Sequence, residues 1–257
     1  LIAFCVCFLP IFFGFILPFL VLLNLGYGNL DLWINANLIS AIKNTLIVSG
    51  LAAFVTVTLA LLMIYGIQLS GKRLPVLILP LTTIGYAAPG AVLGIGILIP
   101  LAFLDNWLAD RVFDFTGYDP GLIFTGTAFA IILAYCVRFF SIAQQTVDGA
   151  LGRVSPSLPN AARSLGRSKL QVLWEIYRPL ISGSTATALL LVFVDCVKEL
   201  PATMLLRPFN FETLATRVHV QASLEDLPNA APGAILIVLI GLCAVFLLAR
   251  VSKQISH

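Results

Sequence analysis

Six apolar stretches, each long enough to cross a lipid bilayer, decide most of what this chain can be. They lie near residues 1–23, 45–69, 74–104, 122–147, 180–206 and 230–251. About 20 apolar residues in a helix cover a hydrocarbon core of roughly 30 Å. Runs this long in Leu, Ile, Ala and Val fit helices, whereas an outer-membrane barrel strand alternates over about ten residues. The 257 residues are 60% hydrophobic and 11% charged, against roughly a quarter charged in a soluble domain. Lipid must therefore be the solvent for most of the surface. The expectation is an all-α membrane protein with six transmembrane helices, forming a single transmembrane domain over 1–257.

Basic residues gather on the cytoplasmic side of short loops. Nine lie on one side of the expected spans: Lys72, Arg73, Arg153, Arg163, Arg167, Lys169, Arg178, Arg250 and Lys253. The other side holds four (Lys43, Arg111, Arg207, Arg217) and eight acids: Asp31, Asp105, Asp110, Asp114, Asp119, Glu212, Glu225 and Asp226. This asymmetry puts both termini and the 148–179 loop in the cytoplasm. The first apolar run begins at Leu1 with neither a basic leader nor a small-residue cleavage site, as expected for a piece of a longer membrane protein.

The five cysteines (Cys5, Cys7, Cys136, Cys196, Cys243) all fall in apolar spans and read as small packing residues. His219 and His257 are too few and too distant to complete a metal site with them. No Ser/His pair, His-Glu-x-x-His helix or recognisable pair of facing aspartates marks an intramembrane hydrolase.

Pro75, Pro80, Pro89 and Pro100 interrupt the third span, and each interior proline removes a backbone donor. Gly90 and Gly94 make a small-xxx-small face that allows a close neighbour. In the fifth span, Asp195, Lys198 and Glu199 share one helical face. Each charge costs about 2.5–3.5 kcal/mol at the bilayer centre, so this face should look inward. Two uses stay open: a translocation pathway or gate, or an ion-pair lock between helices that includes Arg138 of the fourth span.

The 148–179 loop is the long polar one. Ser157 and Asn160 are helix-start residues, Gly166 supplies a left-handed stop, and Ser168 with Gln171 has the pattern of a capping box. Leu158, Ala161, Ala162 and Leu165 fall on one face of the first helix. Pro179 should end the second helix at Arg178. The residues alone allow two roles, a docking element for a partner or an amphipathic helix resting on anionic lipid.

The order Asn160-Ala161-Ala162, three residues, Gly166, nine residues, Ile176, Tyr177, Arg178, Pro179 resembles the EAA motif of ATP-binding-cassette (ABC) importer permeases. The spacing agrees throughout, with Asn160 in place of Glu and Arg178 in place of Leu. The stretch Lys198–Ala215 is similar to the matching segment of ferric-iron permeases, in which two six-helix halves are fused. The resemblance implies the type I importer permease fold and the C-terminal half of a fused permease. It implies that Asn160, Ala161, Ala162 and Gly166 form a coupling helix held by an ATPase subunit, with Ile176 and Pro179 completing the motif. Asp195, Lys198, Glu199 and Arg138 become pathway or gate candidates, and Asp195 and Glu199 transient ligands for ferric iron, a hard cation.

The chain has no Gly-x4-Gly-Lys-Ser/Thr loop, so ATP and Mg would sit on the partner. It is read as a transport subunit with no catalytic site or cofactor of its own. The expected partners are two ABC ATPase subunits, an extracellular or periplasmic solute-binding protein, the other permease half and the bilayer of a bacterial inner membrane, with no nucleic acid. Thiamine, phosphonate, sulfate or polyamine import, or an ATP-independent ion-coupled carrier, are the alternatives.

Overall fold

The computed structural model describes residues 2–70, 79–155 and 157–255. Lys72, Arg73, Pro75 and the first residues of the expected third span lie outside the described residues, as do His257 and the side chains of Cys5 and Lys253. Helices α1 (Ile2–Ile11) and α2 (Leu17–Tyr27) are joined by a π turn (Phe12–Ile16), and a 3-10 turn (Leu30–Ile34) leads to α3 (Ala36–Ser70). A second 3-10 turn (Leu79–Thr83) enters α4 (Ile84–Ala87), followed by α5 (Gly90–Thr116), α6 (Phe129–Leu151) and α7 (Ser157–Ser164). Next come α8 (Lys169–Val172), a π turn (Leu173–Tyr177), α9 (Arg178–Val197), α10 (Pro201–Leu206), α11 (Leu214–Ser223) and α12 (Leu227–Ile255). No strand occurs among the described residues. Among the described residues, six helical segments are long and apolar enough to cross a membrane: Val6–Tyr27, Ala36–Gln68, Gly90–Thr116, Phe129–Leu151, Lys169–Val197 and Leu227–Arg250.

The six spans agree with expectation, but their ends do not. The third was expected at 74–104; its helix starts at Gly90, because Pro89 takes an extended ψ of 134° and cannot continue α4. It then runs on to Thr116, so Asp105, Asp110, Arg111 and Asp114 lie on a helix and not in a loop. The fifth was expected at 180–206. It starts at Lys169 and stops at Val197, and Pro201 opens a separate short helix.

Pro179 does not end a helix, contrary to expectation. The π turn before it explains why. The Arg178 N–H donates to Leu173 O, five residues back, so the widened turn relieves the clash of a proline ring with the carbonyl four residues before it. The same device recurs in the first span, where the Leu17 N–H donates to Phe12 O just before Pro18.

The described contacts group into two compact units, with boundaries inside α3 and α12. In the unit made of 1–46 and 210–242, Leu38, Ala41 and Leu214 form the core. The Thr45 hydroxyl donates to Ala41 O at 2.7 Å and accepts the Leu214 N–H at 2.8 Å, tying α3 to α11.

In the unit made of 47–209 and 243–257, α6 is the central helix and packs against α4, α5, α9 and α10. Ala130, Ala134, Ala143, Ala188 and Ala202 are fully buried, and such small side chains let helices approach closely where lipid gives no hydrophobic drive for association. Ile64, Val147 and Ile181 fill the space between α3, α6 and α9. Phe54, Leu62, Ile99 and Phe103 stay exposed, as suits an outer surface solvated by lipid. Cys136 and Cys196 are buried packing residues, whereas Cys7 and Cys243 are exposed.

Asp105 is 1% exposed. Its carboxylate accepts the backbone N–H groups of Ile123, Phe124 and Thr125 at 3.0, 2.8 and 2.7 Å, and the Thr125 hydroxyl at 2.7 Å. One side chain thus fastens the 117–128 connection to α5. Charge-assisted hydrogen bonds contribute about 1.5–3 kcal/mol each, and deleting the acceptor strands four donors, three of them backbone N–H groups. Asp105→Ala should lower stability by about 3 kcal/mol and abolish hydrogen-exchange protection at amides 123–125. Unchanged protection there would show that the carboxylate does not hold the loop.

Candidate functional site

Two features of the larger unit qualify as functional, and one helix joins them. The first is the 157–179 segment. Helix α7 closes at Gly166, whose φ of +85° is left-handed. The Arg167 N–H donates to Ala162 O at 3.1 Å and the Gly166 N–H to Arg163 O at 3.0 Å. This is the double hydrogen bond of a Schellman stop. A Cβ on Gly166 would meet nothing within 4 Å, so backbone conformation alone calls for glycine.

The Ser168 hydroxyl accepts the Gln171 N–H at 3.3 Å, and the Gln171 side chain accepts the Ser168 N–H at 2.8 Å, completing the capping box expected from sequence. Arg167 pairs with Glu175 at 3.2 Å across the turn, a contact that sequence spacing did not suggest. The segment is therefore stiff although polar and exposed. Asn160, Ala161 and Gly166 are exposed, Ala162 is half-buried, and Leu165 is 85% exposed. Ile176 sits half-buried in the π turn, and Pro179 is exposed on the next helix. The outward-facing apolar and small side chains make a surface that a partner can grip.

From Lys169 the helix runs 29 residues to Val197, about 43 Å at 1.5 Å per residue. At its far end is the second feature. A cavity of about 210 Å3 is lined by Arg138, Asp195, Lys198 and Glu199 together with Tyr86 and Pro201. All four charged candidates are brought together here, but not on one helical face. Lys198 caps α9, and the chain then breaks before Pro201 starts α10.

Lys198 pairs with Asp195 at 2.7 Å. Glu199 is 4% exposed and turns to the start of α10. It accepts the N–H groups of Ala202 and Thr203 at 3.2 and 3.1 Å and the Thr203 hydroxyl at 2.8 Å. Because Thr203 gives its proton to Glu199, the Tyr135 hydroxyl, 2.6 Å away, is the donor to Thr203. Tyr135 and Thr203 were not among the sequence candidates. Pro201 at the first helical position was the available signal for the break.

Arg138 approaches Glu199, with Nε 4.0 Å from Oε1, and donates through Nη1 to Ala88 O at 3.1 Å. That carbonyl lies at the Pro89 break. Gly90 completes the fit: a Cβ there would come 2.9 Å from Arg138 Nη1 and 3.0 Å from Glu199 Oε1. A Cβ on Gly94 would likewise come 3.1 Å from Leu205 Cδ1 and 3.4 Å from Ala202 Cα, so the small-residue face of α5 is the seat of α10. Among the described residues, no three His, Cys, Asp or Glu side chains cluster to hold a metal. Asp195 and Glu199 each already face a cation.

A family model for the binding-protein-dependent transport system inner membrane component matches residues 57–257. The chain belongs to that family, the permeases of ABC importers, and is a multi-pass membrane protein. It is 30% identical over 212 residues to the Fe(3+)-transport system permease protein FbpB 2 of Haemophilus influenzae, covering 82% of this chain and 39% of that protein. With the ferric transport system permease protein FbpB of Actinobacillus pleuropneumoniae it shares 28% identity over 186 residues, 71% of this chain and 24% of that one. The chain thus spans well under half the length of these two relatives. PhnV of Salmonella typhimurium, whose name gives 2-aminoethylphosphonate transport, is 28% identical over 174 residues, 66% of this chain and 58% of that protein. The fold matches a chain of a bacterial alginate ABC transporter crystallised with its alginate-bound periplasmic protein. The TM-score is 0.68 at 18% identity, covering 98% of this chain and 94% of that one.

The seat of α10 gives a direct test. Gly90→Ala should push Arg138 and Glu199 apart and cost about 1–3 kcal/mol in thermal unfolding, as overpacking does. Gly96→Ala, where a Cβ meets nothing within 4 Å, should be neutral or stabilising. Equal effects at both positions would remove the packing argument.

Proposed function

We propose that this chain is the C-terminal half of a fused ABC importer permease and forms half of a translocation pathway, with ferric iron as cargo. The observation that carries the reading is mechanical. A stiff, exposed element at 157–166 leads through one short turn into a continuous helix that ends at the Asp195–Lys198–Glu199–Arg138 cluster. In this reading Asn160, Ala161, Ala162 and Gly166, with Ile176 and Pro179 behind them, dock an ATPase subunit in the cytoplasm, where both ends of the chain also lie. ATP and its Mg ion belong to that subunit. A second ATPase subunit engages the other permease half, and a solute-binding protein delivers cargo on the opposite face.

ATP-driven closure moves the docking element, and the helix carries the displacement to the cluster. There, Arg138 and Glu199 hold two helix breaks together and Lys198 neutralises Asp195, so the four charges form a gate with no net charge. Iron passes as substrate. Asp195 and Glu199 are its transient oxygen ligands, each freed only when its cationic partner moves away. The likeness to ferric permeases supports iron, and the likeness to PhnV keeps a phosphonate as the second reading.

Replacing Gly166 with Leu forces a branched side chain toward a left-handed φ, at a cost of about 1–2 kcal/mol. In the assembled importer, uptake and transport-coupled ATP turnover should fall at least about ten-fold if that strain unseats the docking element, while the solute-binding protein still captures cargo. Normal uptake by this variant would count against docking, and uptake without any ATPase subunit would favour an ion-coupled carrier. Glu199→Gln should alter ATPase stimulation more than membrane insertion; if folding alone suffers, the cluster is only a lock. Comparing ferric iron with 2-aminoethylphosphonate as the cargo that stimulates ATP turnover decides between the two substrates.

A further inference from the structure

A second cavity, of about 670 Å3, is a groove between α3 and the Lys169–Val197 helix. Leu61, Leu62, Leu173, Ile181 and Leu189 make its walls. Tyr65 also lines it, and the serine and threonine hydroxyls along it are committed to their own helices. Ser182 donates to Pro179 O, Thr185 to Ile181 O and Thr58 to Phe54 O. An occupant therefore meets an apolar wall.

One charged residue lines the groove, Arg178. Its guanidinium lies over the Trp174 ring, 4.9 Å from the centroid, and among the described residues no carboxylate lies within 4.0 Å of it. Residues 179–197 carry no charge except Asp195, and nineteen helical residues span about 28 Å, close to the hydrocarbon thickness. Arg178 and Trp174 therefore lie at headgroup depth, where aromatic and basic side chains anchor a helix.

We propose that this groove seats an acyl chain of an anionic phospholipid whose phosphate is bound by Arg178. An acyl chain gains little by leaving other lipid tails for an apolar wall, so shape admits the chain and charge selects the headgroup. The surrounding segment agrees in sign. Residues 148–179 contain Arg153, Arg163, Arg167, Lys169 and Arg178 against Asp148 and Glu175, and basic surfaces of this kind attract anionic lipid. The lipid would lie against Leu173 and Trp174 of the π turn, where the docking element joins the transmembrane helix. The inference is independent of cargo and of any ATPase.

The test is native mass spectrometry of the full chain from micelles holding equal phosphatidylglycerol and phosphatidylcholine. Wild type should retain phosphatidylglycerol about five-fold over phosphatidylcholine, the factor one interfacial basic residue supplies. R178Q should bring the ratio near one, and R178K should keep most of it. Ala186→Phe, which fills the groove, should reduce retention of both lipids with helical content by circular dichroism unchanged. No preference in wild type, or a preference that survives R178Q, would overturn the proposal. So would complete displacement by inorganic phosphate, which would mark a phosphate site. Exclusion of phosphatidylglycerol by a protein partner in the assembled complex would assign the groove to that partner and also overturn it.

Discussion

The interior of a bilayer offers no water to a broken helix, so each backbone group freed at a break must find a partner inside the protein. That constraint accounts for three charged residues of the larger unit. Arg138 takes the carbonyl left open by Pro89. Glu199 takes two N–H groups at the start of α10. Asp105 takes three from the connection after α5. Two of these three, Arg138 and Glu199, then meet each other, so the break before α5 and the break before α10 are fastened at one point.

This arrangement gives the cluster two possible states from simple chemistry. With Arg138 and Glu199 together, the starts of α5 and α10 are locked, and a Cβ at Gly90 would crowd both. Separation would expose two charges and release two helix starts, which costs too much to occur without a driving displacement. The Lys169–Val197 helix reaches from the exposed segment to the cluster as a continuous element. Its π turn keeps it unbroken past Pro179, and the Schellman stop, the capping box and the Arg167–Glu175 pair stiffen its near end. A push at α7 therefore has a defined route to the residues that hold the breaks.

What the sequence made legible was local. Gly166 as a left-handed stop and Ser168 with Gln171 as a cap rest on interactions spanning two to five residues, and both stand as expected. The six spans were visible because length and hydropathy suffice to define them. Pro89 was visible as one of four prolines in the third span, but apolar residues on both sides of it did not mark it as the helix start, and a span taken as 74–104 left Asp105 in a loop. Pro179 looked like a terminator because a proline rule cannot foresee a π turn. Arg138 and Glu199 are sixty-one positions apart (199 − 138), and only the packing of α5, α6, α9 and α10 makes them neighbours. Tyr135 and Thr203 escaped notice for the same reason, being ordinary residues until Glu199 needs a donor.

Whether an ATPase grips the exposed segment is the point on which the functional account turns. The most direct measurement places a photo-reactive amino acid at Ala161 in the assembled importer and identifies what it captures with and without ATP. The account predicts an adduct with the ATP-hydrolysing subunit whose yield changes with nucleotide. Adducts with phospholipid alone, in both conditions, would place α7 in the headgroup layer and contradict it.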